Sequence, residues 1–107
     1  KGLPWEKAKA FDYSAPLSRE LIQKSEFKNV NDITFSLEKN GELVQKGNSK
    51  DMLFDFDHLI CYLSQFMTLK IGDLIFTGTP AGVGPVKIGD QLIGYIGDKK
   101  MLDLNIK

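Results

Sequence analysis

Apolar and polar positions alternate in this chain with two different periods. Ile33, Phe35 and Leu37 alternate with Thr34, Ser36 and Glu38, the two-residue period of a strand with one apolar face. Asn40-Gly41 follows at once, and both central positions of a type I′ hairpin turn need φ > 0, which these residues tolerate. That turn sets Lys39 opposite Glu42 and Leu37 opposite Val44, so charge meets charge and apolar meets apolar. Further on the period changes. Phe56, Leu59, Ile60, Leu63, Phe66 and Met67 form one stripe of an α-helix, with Asp55 as its N-cap and Asp57 in its first turn. A helix from 56 to 67 spans about 18 Å, enough to cover one face of a sheet. Cys61 and Tyr62 flank the stripe, which makes Cys61 a small packed hydrophobe. His58, the lone histidine, lies off the stripe near the helix start and reads as an exposed imidazole.

The tetrapeptide Lys70-Ile71-Gly72-Asp73 is echoed by Lys87-Ile88-Gly89-Asp90. Each launches an apolar run, Leu74-Ile75-Phe76 and then Leu92-Ile93, so one turn solution is used twice. The echo is too short for a repeat unit. The first run predicts a buried strand that enters a constrained loop. Residues 78–85 hold three glycines and two prolines. Glycine permits φ > 0 and close backbone approach, while proline fixes φ. Thr77 and Thr79 add hydroxyls, each both donor and acceptor. Such a loop is either a tight connection between strands or a ligand loop that presents main-chain N–H groups. Gly97-Asp98 predicts one more turn, and Leu102, Leu104 and Ile106 alternate to the end.

Before the hairpin, Pro4 and Pro16 bracket Trp5, Phe11 and Tyr13, which predicts an extended segment wedged against a core. Lys9 lies within it, and nothing local separates it from a solvated charge. Ser18 is placed to cap a short helical turn.

Composition narrows the function classes. Fourteen Lys and Arg balance fourteen Asp and Glu across 107 residues, and the basic residues are scattered, which argues against a nucleic-acid or membrane-surface partner. Cys61 is the only cysteine, so no internal disulfide and no cysteine-based metal site is expected, and a reducing, cytoplasmic compartment is the default. No apolar run approaches the ~20 residues that span a bilayer. The sequence shows no secretory signal pattern and lacks an initiator methionine, consistent with a start inside a longer protein. No Glu-x-Glu pair and no histidine cluster with metal-ligand spacing occurs. The glycine loop is neither a Walker A loop, since no Gly-Lys-Ser/Thr comes after it, nor a dinucleotide fingerprint. The residues alone describe a β-rich domain with a candidate anion- or carboxylate-binding loop.

Two blocks go further. Lys1-Gly2-Leu3-Pro4-Trp5-Glu6-Lys7-Ala8-Lys9-Ala10-Phe11, with Ala15-Pro16-Leu17-Ser18, resembles a block of the fumarylacetoacetate hydrolase family. So does the run from Gly72 to Val86, whose Thr-Gly-Thr-Pro-x-Gly-Val-Gly-Pro core is highly specific. Asn40-Gly41-Glu42-Leu43 and the helical region from Met52 to Leu69 are similar to the branch that contains acylpyruvases. The resemblance implies an α+β, β-rich fold, a mixed β-sandwich roll with one main helix at about 56–67. It also implies a divalent cation, usually Mg²⁺, which binds a 2-oxo acid and stabilises the enolate released when a C–C bond breaks. By motif position, Lys9 is similar to the family's active-site lysine, Thr79 to the threonine that contacts the substrate carboxylate, and Gly78 to the glycine that gives backbone approach.

One departure is large. The family's metal-binding carboxylates and its water-activating His–Glu pair belong to a region upstream of these blocks. The resemblance therefore implies that residues 1–107 are the C-terminal part of a single catalytic domain, inactive alone, with no metal ligand of its own. The parent protein is then expected to be a Mg²⁺-dependent, homodimeric hydrolase of acylpyruvate-type 2,4-dioxo acids, with oxaloacetate decarboxylation as a further activity. Two alternatives stand beside it: an isomerase or hydratase of 2-hydroxy-dienoic acids such as 2-hydroxyhepta-2,4-diene-1,7-dioate, and a non-catalytic β-rich fragment.

Overall fold

The sheet grows outward from the Asn40-Gly41 turn. In the computed structural model, which describes residues 15–107, Asn40 has φ 53° and Gly41 φ 84°, both left-handed as a type I′ turn requires. Strands β1 (Thr34–Lys39) and β2 (Glu42–Asn48) run antiparallel from this turn. Lys39 lies opposite Glu42 as expected, but Leu37 lies opposite Gln45 rather than Val44, because the register shifts between Leu37 and Glu38. Val44 is the extra residue of a β-bulge. With Leu43 and Val44 both apolar, the alternation in the sequence carries no mark of the shift.

Strands β3 (Gln91–Ile96) and β4 (Lys99–Asn105) complete an antiparallel sheet in the order β2-β1-β3-β4, with the Gly97-Asp98 turn between them. The echoed turns are the same structure. Lys70 N–H donates to Asp73 Oδ2 and Asp73 N–H to the Lys70 carbonyl; Lys87 N–H donates to Asp90 Oδ2 and Asp90 N–H to the Lys87 carbonyl. Their glycines, Gly72 and Gly89, have φ 94° and 97°.

The two turns lead into different structures. Leu92 and Ile93 enter β3, between β1 and β4. Leu74-Ile75-Phe76 forms no strand, and Leu74 and Phe76 are exposed, which corrects the expected buried strand. The apolar run has the composition of a strand but no neighbouring strand among the described residues to take up its backbone hydrogen bonds.

Helix α1 covers Phe56–Ser64, shorter than the expected 56–67, and ends with Gln65 as its C-cap. Asp55 is its N-cap, with Oδ1 accepting from the His58 N–H at 2.8 Å. Phe56, Leu59 and Leu63 are half-buried, whereas Ile60 and Tyr62 are exposed, as are Phe66 and Met67 beyond the helix end. Cys61 is also exposed, not packed, because nothing among the described residues covers that flank. Ser18 caps no helical turn either: its hydroxyl donates to the Glu20 carbonyl at 2.6 Å, and the first 3₁₀ turn is Lys24–Glu26. The extended segment expected around Trp5, Lys9 and Phe11 lies outside the described residues.

The described elements make one open layer of sheet with a helix beside it. The radius of gyration is 15.3 Å, against about 13 Å for a compact chain of this length. No hydrophobic residue among those described is fully buried; the buried residues are polar, Ser49 and Asp90. Both are anchors. Ser49 Oγ donates to the Val30 carbonyl and accepts from the Ile33 N–H, each at 2.8 Å. Asp90 accepts from Asn40 Nδ2 at 2.9 Å, and Asn40 Oδ1 accepts from the Gln91 N–H, joining the hairpin turn to the start of β3.

Candidate functional site

The glycine loop lies against the edge strand β2. Gly82 (φ 107°) packs so close that a Cβ there would collide with the Val44 carbonyl oxygen. A Cβ on Gly47 would meet the Phe35 ring at 2.8 Å and Pro80 Cβ at 3.2 Å. Two of the chain's glycines are thus places where loop, strand and ring have room only for hydrogen. Polar contacts add to the docking. Gln45 Nε2 donates to Thr79 Oγ1 at 2.9 Å and to the Pro80 carbonyl at 3.0 Å, and Lys39 Nζ donates to the Pro85 carbonyl at 3.2 Å.

Between this loop, the sheet and the start of α1 lies an open cavity of about 760 Å³. Its walls are mainly apolar, with Phe35 and Ile96 from the sheet, Met52 and Phe54 from the connection, and Phe56 and Leu59 from the helix. Thr77, Gly78, Thr79 and Pro80 form one wall, and Lys46, Ser49 and Asp51 add polar groups. Gly78 has φ 113°, and nothing lies within 4 Å of where its Cβ would sit. An apolar hollow with a few convergent polar groups is the usual form of a small-molecule site.

Of the residues singled out in the sequence, Thr79 and Gly78 come together in this wall, with Thr77 beside them. Lys9 lies outside the described residues. His58 is exposed and stacks on Phe54 with ring centroids 4.6 Å apart and planes 13° from parallel, but does not line the cavity. Gln45 carried no signal in the sequence, because its facing depends on the bulge at Val44.

Among the described residues, the two carboxyl groups with a lowered pKa, Asp90 and Asp103, do not line this cavity. Asp90 is held below the ordinary carboxylate range first by the Asn40 amide and then by the Lys87 N–H, and Asp103 by the Gln91 side chain and Lys100. Among the described residues, no group of three or more His, Cys, Asp or Glu side chains is placed to hold a metal ion. No helix among the described residues is long and apolar enough to cross a membrane.

Residues 1–104 match the family model described as fumarylacetoacetate (FAA) hydrolase C-terminal. The chain belongs to the fumarylacetoacetate hydrolase family. It is 52% identical over 92 residues to the oxaloacetate tautomerase YcgM of Escherichia coli K12, a match covering 85% of this chain and 42% of that protein. A fumarylacetoacetate hydrolase family protein from Yersinia pestis CO92 superposes with a TM-score of 0.91 at 45% identity, over 99% of this chain and 48% of the other. The maleylpyruvate hydrolase of Sphingobium sp. SYK-6, in complex with manganese(II) and pyruvate, superposes with a TM-score of 0.75 at 33% identity, over 80% of this chain and 33% of the other. The chain thus spans less than half the length of these relatives.

Proposed function

We propose that this chain is part of an enzyme that binds a small 2-oxo acid of the oxaloacetate type and interconverts its keto and enol forms. The observation that carries the proposal is the placement of Thr79 and Gly78 in one wall of an apolar cavity, on a loop locked to β2. The Thr79 hydroxyl contacts the substrate carboxylate, and Gly78 leaves space for an anionic group to approach the backbone. Lys9 provides a cation for the negative charge that develops on the enolate oxygen.

The similarity to an oxaloacetate tautomerase supports the substrate class. The manganese and pyruvate in the Sphingobium relative support a divalent cation and a 2-oxo acid in the complete protein. Mg²⁺ is the cation proposed, with its ligands in the part of the protein upstream of this chain, as the family resemblance implies. Residues 1–107 are then the C-terminal part of one catalytic domain, inactive without the rest. A homodimer and a cytoplasmic location complete the proposal, resting on the family resemblance and on the single cysteine.

A second reading is C–C bond hydrolysis of acylpyruvates, with oxaloacetate decarboxylation beside it, favoured by the hydrolase among the structural relatives. One experiment separates the two. The complete protein carrying this chain is assayed with enol-oxaloacetate by loss of enol absorbance, and with acetylpyruvate by release of acetate and pyruvate, each before and after chelation. Fast chelator-sensitive loss of the enol with slow acetylpyruvate cleavage supports the tautomerase; the reverse supports the hydrolase. If Thr79→Val and Lys9→Ala both leave the faster activity unchanged, the site assignment is wrong.

A further inference from the structure

We propose that Gln45 is a positioning residue that leaves the Thr79 hydroxyl proton free for an acceptor in the cavity, and so favours an anionic oxygen as its ligand. This rests on the carboxylate-binding role proposed for Thr79. The bulge makes the contact possible. Directly paired residues of an antiparallel ladder share a face, so Gln45, opposite Leu37, lies on the face that carries Phe35 and Gly47. In an unbulged hairpin Gln45 would pair with Ser36 and point to the other face. Bulges of this kind re-aim a side chain beside a site.

The polarity of the contact is a matter of chemistry. The Pro80 carbonyl can only accept, so the end of the Gln45 amide facing it must be the NH₂ group. The same nitrogen reaches Thr79 Oγ1, which must therefore accept. Both amide hydrogens are spent on the loop. The Thr79 hydroxyl has one proton, and that proton cannot point back at Gln45. Among the described residues it has no other hydrogen-bond partner, and Thr79 lines the cavity. The amide thus leaves the proton for a ligand and, by donating to the oxygen, strengthens the bond it makes. A carboxylate oxygen fits such a donor.

The test uses the complete protein, with KM and kcat for oxaloacetate and competitive inhibition by pyruvate as readouts. Gln45→Leu, which keeps bulk but cannot donate, raises KM and the pyruvate inhibition constant about 3- to 10-fold and changes kcat less. Gln45→Glu, of the same shape, draws the Thr79 proton to itself and has the larger effect. That loss shrinks as pH falls into the carboxyl range and the acid regains a donor, a response that a merely structural role would not give. In a Thr79→Val background Gln45→Leu costs no further affinity. If Thr79→Val raises KM but both Gln45 variants, folded by circular dichroism, bind as the parent does, the positioning role is overturned. Additive losses in the double variant overturn it as well. If Thr79→Val itself leaves KM unchanged, it is the carboxylate role of Thr79 that fails.

Discussion

Asn40 and Asp90, fifty positions apart, are joined side chain to side chain, Nδ2 to Oδ1 at 2.9 Å. The bond ties the hairpin turn to the turn that launches β3, and Asp90 is 4% exposed. Its carboxylate also accepts from the Lys87 N–H, so both oxygens are used in the ionised form.

That arrangement fixes a pH dependence. Hydrogen bonds to the charged form lower the folded-state pKa of Asp90, so its stabilisation is complete above the unfolded value of about 3.9 and is lost as pH falls through the lower folded value. Asp103 acts in the same direction through Gln91 and Lys100. Thermal melts of the protein between pH 7 and pH 3 are expected to show a fall at the acid end that is shallower in Asp90→Asn. An identical acid fall in that variant would remove Asp90 from the account.

Gly82 and Gly84 are expected to behave differently. Gly82→Ala puts a methyl onto the Val44 carbonyl and holds alanine at φ 107°, costing about 1–3 kcal/mol and lifting the loop. Gly84 has nothing within 4 Å of its Cβ position and no positive φ, so Gly84→Ala is expected to stay within about 0.5 kcal/mol of the parent. Denaturant midpoints and KM for oxaloacetate check both. Equal effects would mean that the loop does not rest on β2.

Asp55→Ala removes the side chain that accepts from the His58 N–H, at a cost of about 1 kcal/mol. The expected signature is local: faster amide exchange in the first turn of α1, with the sheet amides unaffected. Loss of protection in β3 or β4 would show that the helix is coupled to the sheet.

With no hydrophobic residue fully buried among those described, and Leu53, Phe66, Phe76 and Val83 exposed, the 107-residue chain on its own is expected to bind an apolar fluorescent dye strongly. The complete protein is expected to bind it weakly. A dye-silent, cooperatively melting 107-residue chain would contradict the proposal that residues 1–107 are only part of one catalytic domain.

The sequence foretold what is set by neighbours along the chain. The Asn40-Gly41 turn, the Asp55 cap and the paired Gly-Asp turns each depend on a few adjacent residues, and each formed as expected. Burial was less legible. Leu74-Ile75-Phe76 and Cys61 have the composition of packed residues, but packing needs a partner surface, and none lies over them among the described residues. Thr79 and Gly78 were singled out through the family motif alone, and the cavity they line joins residues from distant parts of the chain. Gln45 was invisible, because the two adjacent apolar residues before it fit either register.

Val44 also changes the parity of its strand. Glu42 and Gln45, three positions apart, share a face, where an unbroken strand would put them on opposite sides. Deleting Val44 leaves every later side chain of β2 facing as it does now, with a straighter strand. Deleting any single residue from 45 to 48 while the bulge stays reverses the facing of those beyond it. Deleting Val44 is thus silent for Gln45, the loop's side-chain anchor. Its cost falls instead on Gly82, which would lose the carbonyl it rests against.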